Sequence, residues 1–295
     1  MDSIADTEPT HRWSVEQRLA FIERRLYWEG QINRSDLVDH FSISVPQASS
    51  DLSAYDSAAP GNMYYDKSAK AYLASEEFRP RAEPSARQYL AQLQLLADDV
   101  LTPRASWLSR TPAHGIVPRV RRKLAASILR QVLEAIRLKA GLKIIYQSMT
   151  SIDPSTRWIV PHAIGFDGHR WHVRSWCHRR EKFLDFVMAR MLQVLDRREA
   201  SIDNTADQAW HQTGRIRLGP NPRLTPPQRR AIALDYGMAD DCVEIEVRLS
   251  LVYYVSRQML LDVAHLLPPE RAQLVLLNKA ELNEKLVSVD ESPIA

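Results

Sequence analysis

"RWIVPHAIGFDGHRWHVRSWCHRREKF" (residues 157–183) alternates apolar and polar residues on both sides of Asp167-Gly168. Period-two alternation is the mark of a half-buried strand, and Asp-Gly favours the tight turn of a hairpin. Within "HRWHVRSWC" the alternation sorts Trp171, Val173, Ser175 and Cys177 to one face and His172, Arg174 and Trp176 to the other. The same period runs through "LKIIYQS" (142–148), "TRWIVPHAIGF" (156–166), "KFLDFVMARM" (182–191) and "QVLD" (193–196). Five short strands predict a small barrel of SH3-like or Sm-like size.

The stretch holds four of the nine histidines and one of the two cysteines, so a metal site has to be weighed. His172 and Cys177 fall on opposite strand faces, as do His169 and His172. His178 sits among Arg179, Arg180 and Lys182, which repel a cation. No usual zinc spacing is present, and no metal or other cofactor is expected. The imidazole, guanidinium and indole of His172, Arg174 and Trp176 suit an anion, with the indole free to stack on a base. The structural alternative pairs Arg174 with Asp185 on a neighbouring strand. If Trp171 and Val173 are core, Trp171→Ala is costly, whereas Arg174→Ala leaves the fold intact.

Working outward, the N-terminal part carries helix signals. "SVEQRLAFIERRLYWEG" has Ser14 and Gln17 spaced as a capping box, an apolar stripe at Val15, Leu19, Ile22 and Leu26, and a stop at Gly30. A short helix fits Ser35 to Phe41. A second fits Val45 to Ser57, with Ser44 as cap, Pro46 in its first turn and Ala48, Leu52 and Tyr55 inward. "NMYYDKSAKAYLAS" reads as a hairpin turning at Lys67 to Ala69. Helix, helix, turn, helix, hairpin is the order of a winged helix-turn-helix. Its second helix of the pair enters the DNA major groove. Gln47, Ser49, Ser50 and Ser53 then face bases, while Arg34, Lys67 and Lys70 suit phosphates.

A helix is expected from Ser85 to Asp99, then a proline-punctuated connector and a long basic helix over "RRKLAASILRQVLEAIRLKAG", ending at Gly141. The C-terminal part mixes strands ("GRIRL", "CVEIEVRL", "AQLVLLN") with helices ("PPQRRAIALDYG", "LVYYVSRQMLLDV", "KAELNEKL"). The fold class is therefore multi-domain α+β. The expected divisions are 1–80, a winged helix-turn-helix; 81–130, a helical linker; 131–200, the small barrel; and 201–295, an α+β domain.

The net charge of +3 hides an asymmetry: residues 118–198 carry 17 Lys/Arg against 6 Asp/Glu, while 1–80 carry 8 against 13. The basic block suits a polyanion, and Arg119, Arg121, Arg122 and Lys123 can join it. The acidic N-terminal part leaves open a winged helix used for protein contacts. No apolar run is long enough for a membrane span, the start is not a signal peptide, and two distant cysteines fit a reducing cytoplasm. No phosphate loop, nucleophile elbow or dinucleotide fingerprint is present, so an enzyme is not expected.

The ordered combination resembles a known family. "WHV" (Trp171–Val173) stands where the WYL domain carries its Trp-Tyr-Leu signature, with Phe186 and Arg190 at its Phe and Arg positions. "IIYQS" and "RWIVPHAIGFDGHRWHVRSWCHRR" resemble the WYL regulators that accompany phage-defence islands, the BrxR and CapW group. The resemblance spans nearly the whole chain: winged helix, linker, WYL barrel and the extension called WCX. It implies a homodimeric repressor that binds an inverted-repeat operator in double-stranded DNA and controls a defence operon. It also implies a WYL domain that senses an anionic effector, a nucleotide or single-stranded nucleic acid. Carried over, the pocket comprises Tyr146, Ser148, His162, His172, Arg174 and Arg190, with Trp176 added from the strand pattern. His172 replaces the signature tyrosine, and Leu184 stands where many members have arginine. The other functions open to these domains are an activator triggered by single-stranded DNA and a nucleotide-processing enzyme.

Overall fold

The computed structural model describes residues 8–118, 120, 122–291 and 294. The chain divides into two compact units at residues 119 and 120. Arg119 and Arg121 lie outside the described residues; Arg122 and Lys123 are exposed.

In the first unit, α1 (Glu8–Glu29) starts six residues before the expected cap, so Ser14 lies inside the helix rather than at its end. Pro9 falls in the first turn, where a missing N–H breaks no helical bond. Gly30 ends the helix at φ 73°, as the sequence signals. After β1 (Gln31–Ile32), Asn33 caps α2 (Arg34–Phe41) in a reciprocal box: its side chain accepts from Asp36 N at 3.0 Å, and Asp36 accepts from Asn33 N at 2.8 Å. Ser42, in the left-handed region, makes the tight turn. Ser44 then caps α3 (Val45–Ala58). β2 (Met63–Asp66) and β3 (Ala71–Ala74) form the hairpin, and β1 completes a sheet of order β1-β3-β2. α4 (Ala86–Ala97) follows, capped by Ser85. Ile22, Leu26, Ile32, Leu37, Ala48, Leu52 and Tyr55 are fully buried together, so the inward stripe of α3 is as its spacing predicts.

The second unit opens with α5 (Ala126–Leu138), shorter at both ends than the basic run suggests. Lys139 turns left-handed, and β4 (Ala140–Tyr146) begins at once. Gly141 is therefore a strand residue opposite Arg198, not a helix stop. Sheet hydrogen bonds take the backbone that helix propensity alone would have extended. β5 (Ser155–Phe166), β6 (Trp171–Cys177), β7 (Lys182–Val187) and β8 (Met191–Glu199) complete an antiparallel sheet of order β7-β6-β5-β4-β8. The end strands β7 and β8 are joined by a single 3-10 turn, Met188–Arg190, which splits the expected strand 182–191. Bulges interrupt the ladders at Pro161/Ala163 and along β4–β8, and bulges bend strands. Gly168 holds the β5–β6 turn at φ 88°, and a Cβ there would sit 2.9 Å from Gln258 Nε2.

One face of this sheet, with α5 against it, forms a core containing Val132, Leu142, Ile144, Ile159, Val173, Cys177 and Phe186. Val173, Ser175 and Cys177 point there, as their alternation predicts. Trp171 does not: it is 53% exposed and rests on Phe166 at 4.7 Å between ring centroids. As the first residue of β6 it projects past the edge of the core, which parity alone cannot reveal.

The remaining elements are α6 (Gln208–His211), β9 (Thr213–Pro220), α7 (Pro226–Asp235), β10 (Val243–Arg248), α8 (Val252–Gln258), β11 (Leu274–Leu276) and α9 (Lys279–Ser288). They form a sheet of order β10-β9-β11, with its own core around Ile216, Leu218, Leu249, Val252 and Leu282. The whole chain is thus mixed helix and sheet.

Candidate functional site

On α3, polar residues flank and oppose the buried stripe, Gln47 at its edge beside Asp51. Ser50 and Ser53 are exposed, and Gln47 and Ser49 are half-buried. Ser49 Oγ donates to Val45 O at 3.1 Å, so its hydroxyl is partly spent on its own helix. Gln47 Nε2 donates to Asp51 Oδ1 at 3.0 Å. Asp51 is buried and held by Arg18, whose Nε reaches Oδ2 at 2.6 Å and whose Nη2 reaches Oδ1 at 3.1 Å. Sequence reading missed this pair, because a carboxylate one residue from the apolar stripe looks like a solvated charge.

The wing lies beside this helix pair in the same unit. Lys67 and Lys70 are exposed in the β2–β3 turn, where Asp66 Oδ1 accepts from Ser68 N and Ala69 N. A cleft of 340 Å³ opens between the start of α2 and the wing, lined by Asn33, Arg34, Ser35, Tyr65, Lys70 and Tyr72. Arg34 lies 6.0 Å from the centre of the Tyr72 ring, and Tyr65 packs edge-on against Tyr72 at 5.1 Å. Arg34 over the Tyr72 ring, with Lys70 in the same cleft, can hold phosphate and sugar. The interleaved "YYDKSAKAY" was the available signal for Tyr65 and Tyr72.

Some acidic groups of residues 1–80 are turned into the fold, two of them paired one for one with arginines of the same segment, so the net charge is unchanged but these acids do not face outward. Asp51 pairs with Arg18, and Asp36 with Arg25 at 3.1 Å. Glu23 accepts from the backbone N–H groups of Arg81 and Ala82. Acidic groups spent this way weigh little against the exposed Arg34, Lys67 and Lys70.

In the second unit the structure sorts the predicted pocket residues into two groups. Tyr146 sits on the core face: its ring meets Phe186 edge-on at 5.1 Å, and its hydroxyl accepts from Val187 N at 3.2 Å. Ser148 follows in the next loop, its hydroxyl 2.9 Å from Thr150 Oγ1. Arg190 lies nearby, its carbonyl accepting from Gln147 N. His162, His172, Arg174 and Trp176 form the other group, on the opposite face, so the seven residues do not line one cavity.

Arg174 is at the centre of that second group. It is 5% exposed and meets three carboxylates. Nε and Nη2 grip Asp207 at 2.8 and 3.0 Å, Nη2 reaches Glu291 at 2.9 Å, and Nη1 lies 3.6 Å from Asp185. His162 Nε2 adds a 2.9 Å bond to Asp207. His172 Nε2 bonds Asp167 at 2.8 Å, and its ring packs on Tyr254, whose hydroxyl donates to Asp185. Trp176 meets Phe183 edge-on at 5.2 Å.

The charges respond to this crowding. Burial works against ionisation of Asp207, but the hydrogen bonds from His162 and Arg174 outweigh it and hold its carboxyl at about 2. Burial also opposes the charge on Arg174, yet Asp207, Asp185 and Glu291 together raise its proton affinity. Glu291 goes the other way: burial, with Asp185 and Asp207 nearby, outweighs Arg174 and pushes its carboxyl up. The alternative pairing with Asp185 is therefore present, together with two acidic partners from segments outside the strands. Among the described residues, no three His, Cys, Asp or Glu side chains converge as a metal shell.

Comparison with known proteins agrees with this architecture. The BrxR transcriptional regulator winged helix-turn-helix domain matches residues 14–95, the WYL domain 127–195, and the BrxR transcriptional regulator C-terminal dimerization domain 213–282. A DNA-binding transcriptional repressor CapW of Stenotrophomonas maltophilia is 40% identical over 273 residues, 92% of this chain and 91% of the relative. CapW of Escherichia coli (strain KTE188) is 39% identical over the same shares. CapW of Pseudomonas aeruginosa is 38% identical over 293 residues, 95% of this chain and 96% of the relative. With the winged helix, the WYL domain and the dimerization domain in that order, the chain belongs to the BrxR and CapW family of transcriptional regulators.

Proposed function

We propose that the chain is a sequence-specific transcriptional repressor that binds an inverted-repeat operator as a homodimer, acts in the cytoplasm and controls a phage-defence operon. The observation that carries the reading is the capped α2–turn–α3 pair, whose exposed polar row on α3 lies beside a Lys and Tyr wing. Gln47, Ser50 and Ser53 read bases; Arg34, Lys67 and Lys70 hold the backbone, joined by Ser49 where its hydroxyl is released. A single such module contacts few base pairs, so two copies on two half-sites supply the specificity. The relatives named repressors and the matched dimerization domain support this. No helix among the described residues is long and apolar enough to cross a membrane. The working divisions remain 1–80, 81–130, 131–200 and 201–295.

The effector in this reading is an anion, a nucleotide or single-stranded nucleic acid, bound at the WYL domain. His162, His172, Arg174 and Trp176 form its contact group, with Tyr146, Ser148 and Arg190 as a separate cluster supporting the sheet end. To reach Arg174 the anion replaces a carboxylate, and Glu291 is the one to leave: its side chain is 25% exposed against 2% for Asp207. The test is a gel-shift series on the chain's own promoter and on scrambled DNA, with and without short oligonucleotides and cyclic nucleotides, paired with transcription in vitro. Tight binding to promoter DNA with reduced transcript supports repression. Raised transcript identifies an activator, and turnover of the nucleotide identifies an enzyme.

A further inference from the structure

We propose that Asp51 determines which base Gln47 reads, by fixing the orientation of its carboxamide; this rests on the base-reading role given to Gln47 above. The two residues stand four apart on α3, so their side chains share a face. A carboxamide has one donor end and one acceptor end, and free in solvent it presents either. A carboxylate only accepts. Asp51 therefore takes the nitrogen end of Gln47, here at 3.0 Å, and leaves Oε1 as the end not bound to it. The grip is firm because Asp51 is itself clamped by two bonds from Arg18, with both side chains buried.

The consequence is a fixed pattern. One Nε2 hydrogen is spent on Asp51, and the other remains next to Oε1. An acceptor beside a donor matches the N6 and N7 edge of adenine. Cytosine N4 satisfies the acceptor alone. Thymine O4, and guanine O6 or N7, satisfy the remaining donor alone. The position that Gln47 contacts is thus adenine first, because each other base satisfies only one end of the carboxamide. Asp51 and Arg18 touch no DNA in this account; they are positioning residues.

The experiment is selection from a randomised duplex library by the full-length wild type, Gln47→Ala and Asp51→Asn. Asparagine keeps an oxygen for Arg18 but adds a donor, so it can hold Gln47 either way round. Gln47→Ala flattens the preference at one position in each half-site. Asp51→Asn reduces the adenine preference at that same position, by about tenfold over thymine and guanine, and leaves the other positions selective. Arg18→Lys, which keeps the cation but loses the two-pronged grip, gives a partial loss at the same place. A measurement on the wild type alone avoids any folding defect: replacing that adenine by purine, which lacks the 6-amino group, weakens binding about tenfold. A folded Asp51→Asn protein with unchanged preference at the Gln47 position overturns the proposal. Equal loss at every position does so too, because it marks a merely structural role. A wild-type preference for thymine or guanine there contradicts the orientation. If Gln47→Ala flattens no position, the base-reading role itself is wrong, and that result is distinct from the others.

Discussion

Arg174 joins β6 to two segments far away in sequence, through Asp207 beside α6 and Glu291 after α9. Removing it leaves the buried carboxylate of Asp207 without its guanidinium, holding only hydrogen bonds such as those with His162 and the Trp210 N–H. Truncating one member of a buried ion pair strands the other in low dielectric. Arg174→Met is therefore expected to destabilise the protein by about 3–5 kcal/mol, read from urea or thermal unfolding. That reverses the expectation from strand parity, in which Arg174 is dispensable to the fold. A melting temperature like the wild type's would return Arg174 to the role of a purely ligand-facing side chain. Trp171 reverses in the opposite sense. Half exposed, it gives up one aromatic contact, so Trp171→Ala costs about 1 kcal/mol or less in the same measurement. Parity told which side each residue takes, but not how far the core extends or which distant carboxylates arrive. Asp207 and Glu291 lie 33 and 117 residues from Arg174, and no local pattern links such positions.

At the scale of elements, the helix-turn-helix was legible because its signals are local. Ser44, Pro46 and the Ala48, Leu52 and Tyr55 stripe are chemistry within one helix, and the structure follows them. The limits of α5 were not legible, because the residues that end it pair with β8, nearly sixty positions away. The reciprocal cap on α2 was also missed, although Asn33 and Asp36 have the required spacing. Losing it leaves a helix N–H unmet at the start of α2, the first helix of the pair. Asn33→Ala is expected to cost about 1 kcal/mol of stability. It should also weaken specific and nonspecific DNA binding together, since it alters where α3 sits and not what it reads. Selective loss of operator binding alone would place Asn33 among the base contacts.

At the scale of the whole molecule, pH separates the carboxylates. Asp207 is held at about 2, below its ordinary 3.8, so its share of stability is complete above pH 3.8 and is lost as pH falls towards 2. Glu291 has the opposite sign. Its carboxyl is raised, so the fold favours its neutral form, and ionisation above its ordinary range of 4.5 costs stability. Glu291→Gln should accordingly be neutral or stabilising at pH 7, whereas Asp207→Asn is destabilising there; unfolding curves at pH 7 and pH 3 check both. A clear loss with Glu291→Gln at pH 7 would show that its charge is needed on Arg174. In the proposed function, α3 of two identical chains reads a two-fold DNA site. Footprinting of the full-length protein on its own promoter tests it most directly, in parallel with a variant carrying Gln47→Ala, Ser50→Ala and Ser53→Ala. The expected result is two protected half-sites with centres about 10–10.5 base pairs, or a multiple of that, apart, lost in the variant while weak binding to any DNA persists. Protection of a single site with no symmetry, or an identical footprint from the triple variant, would contradict it.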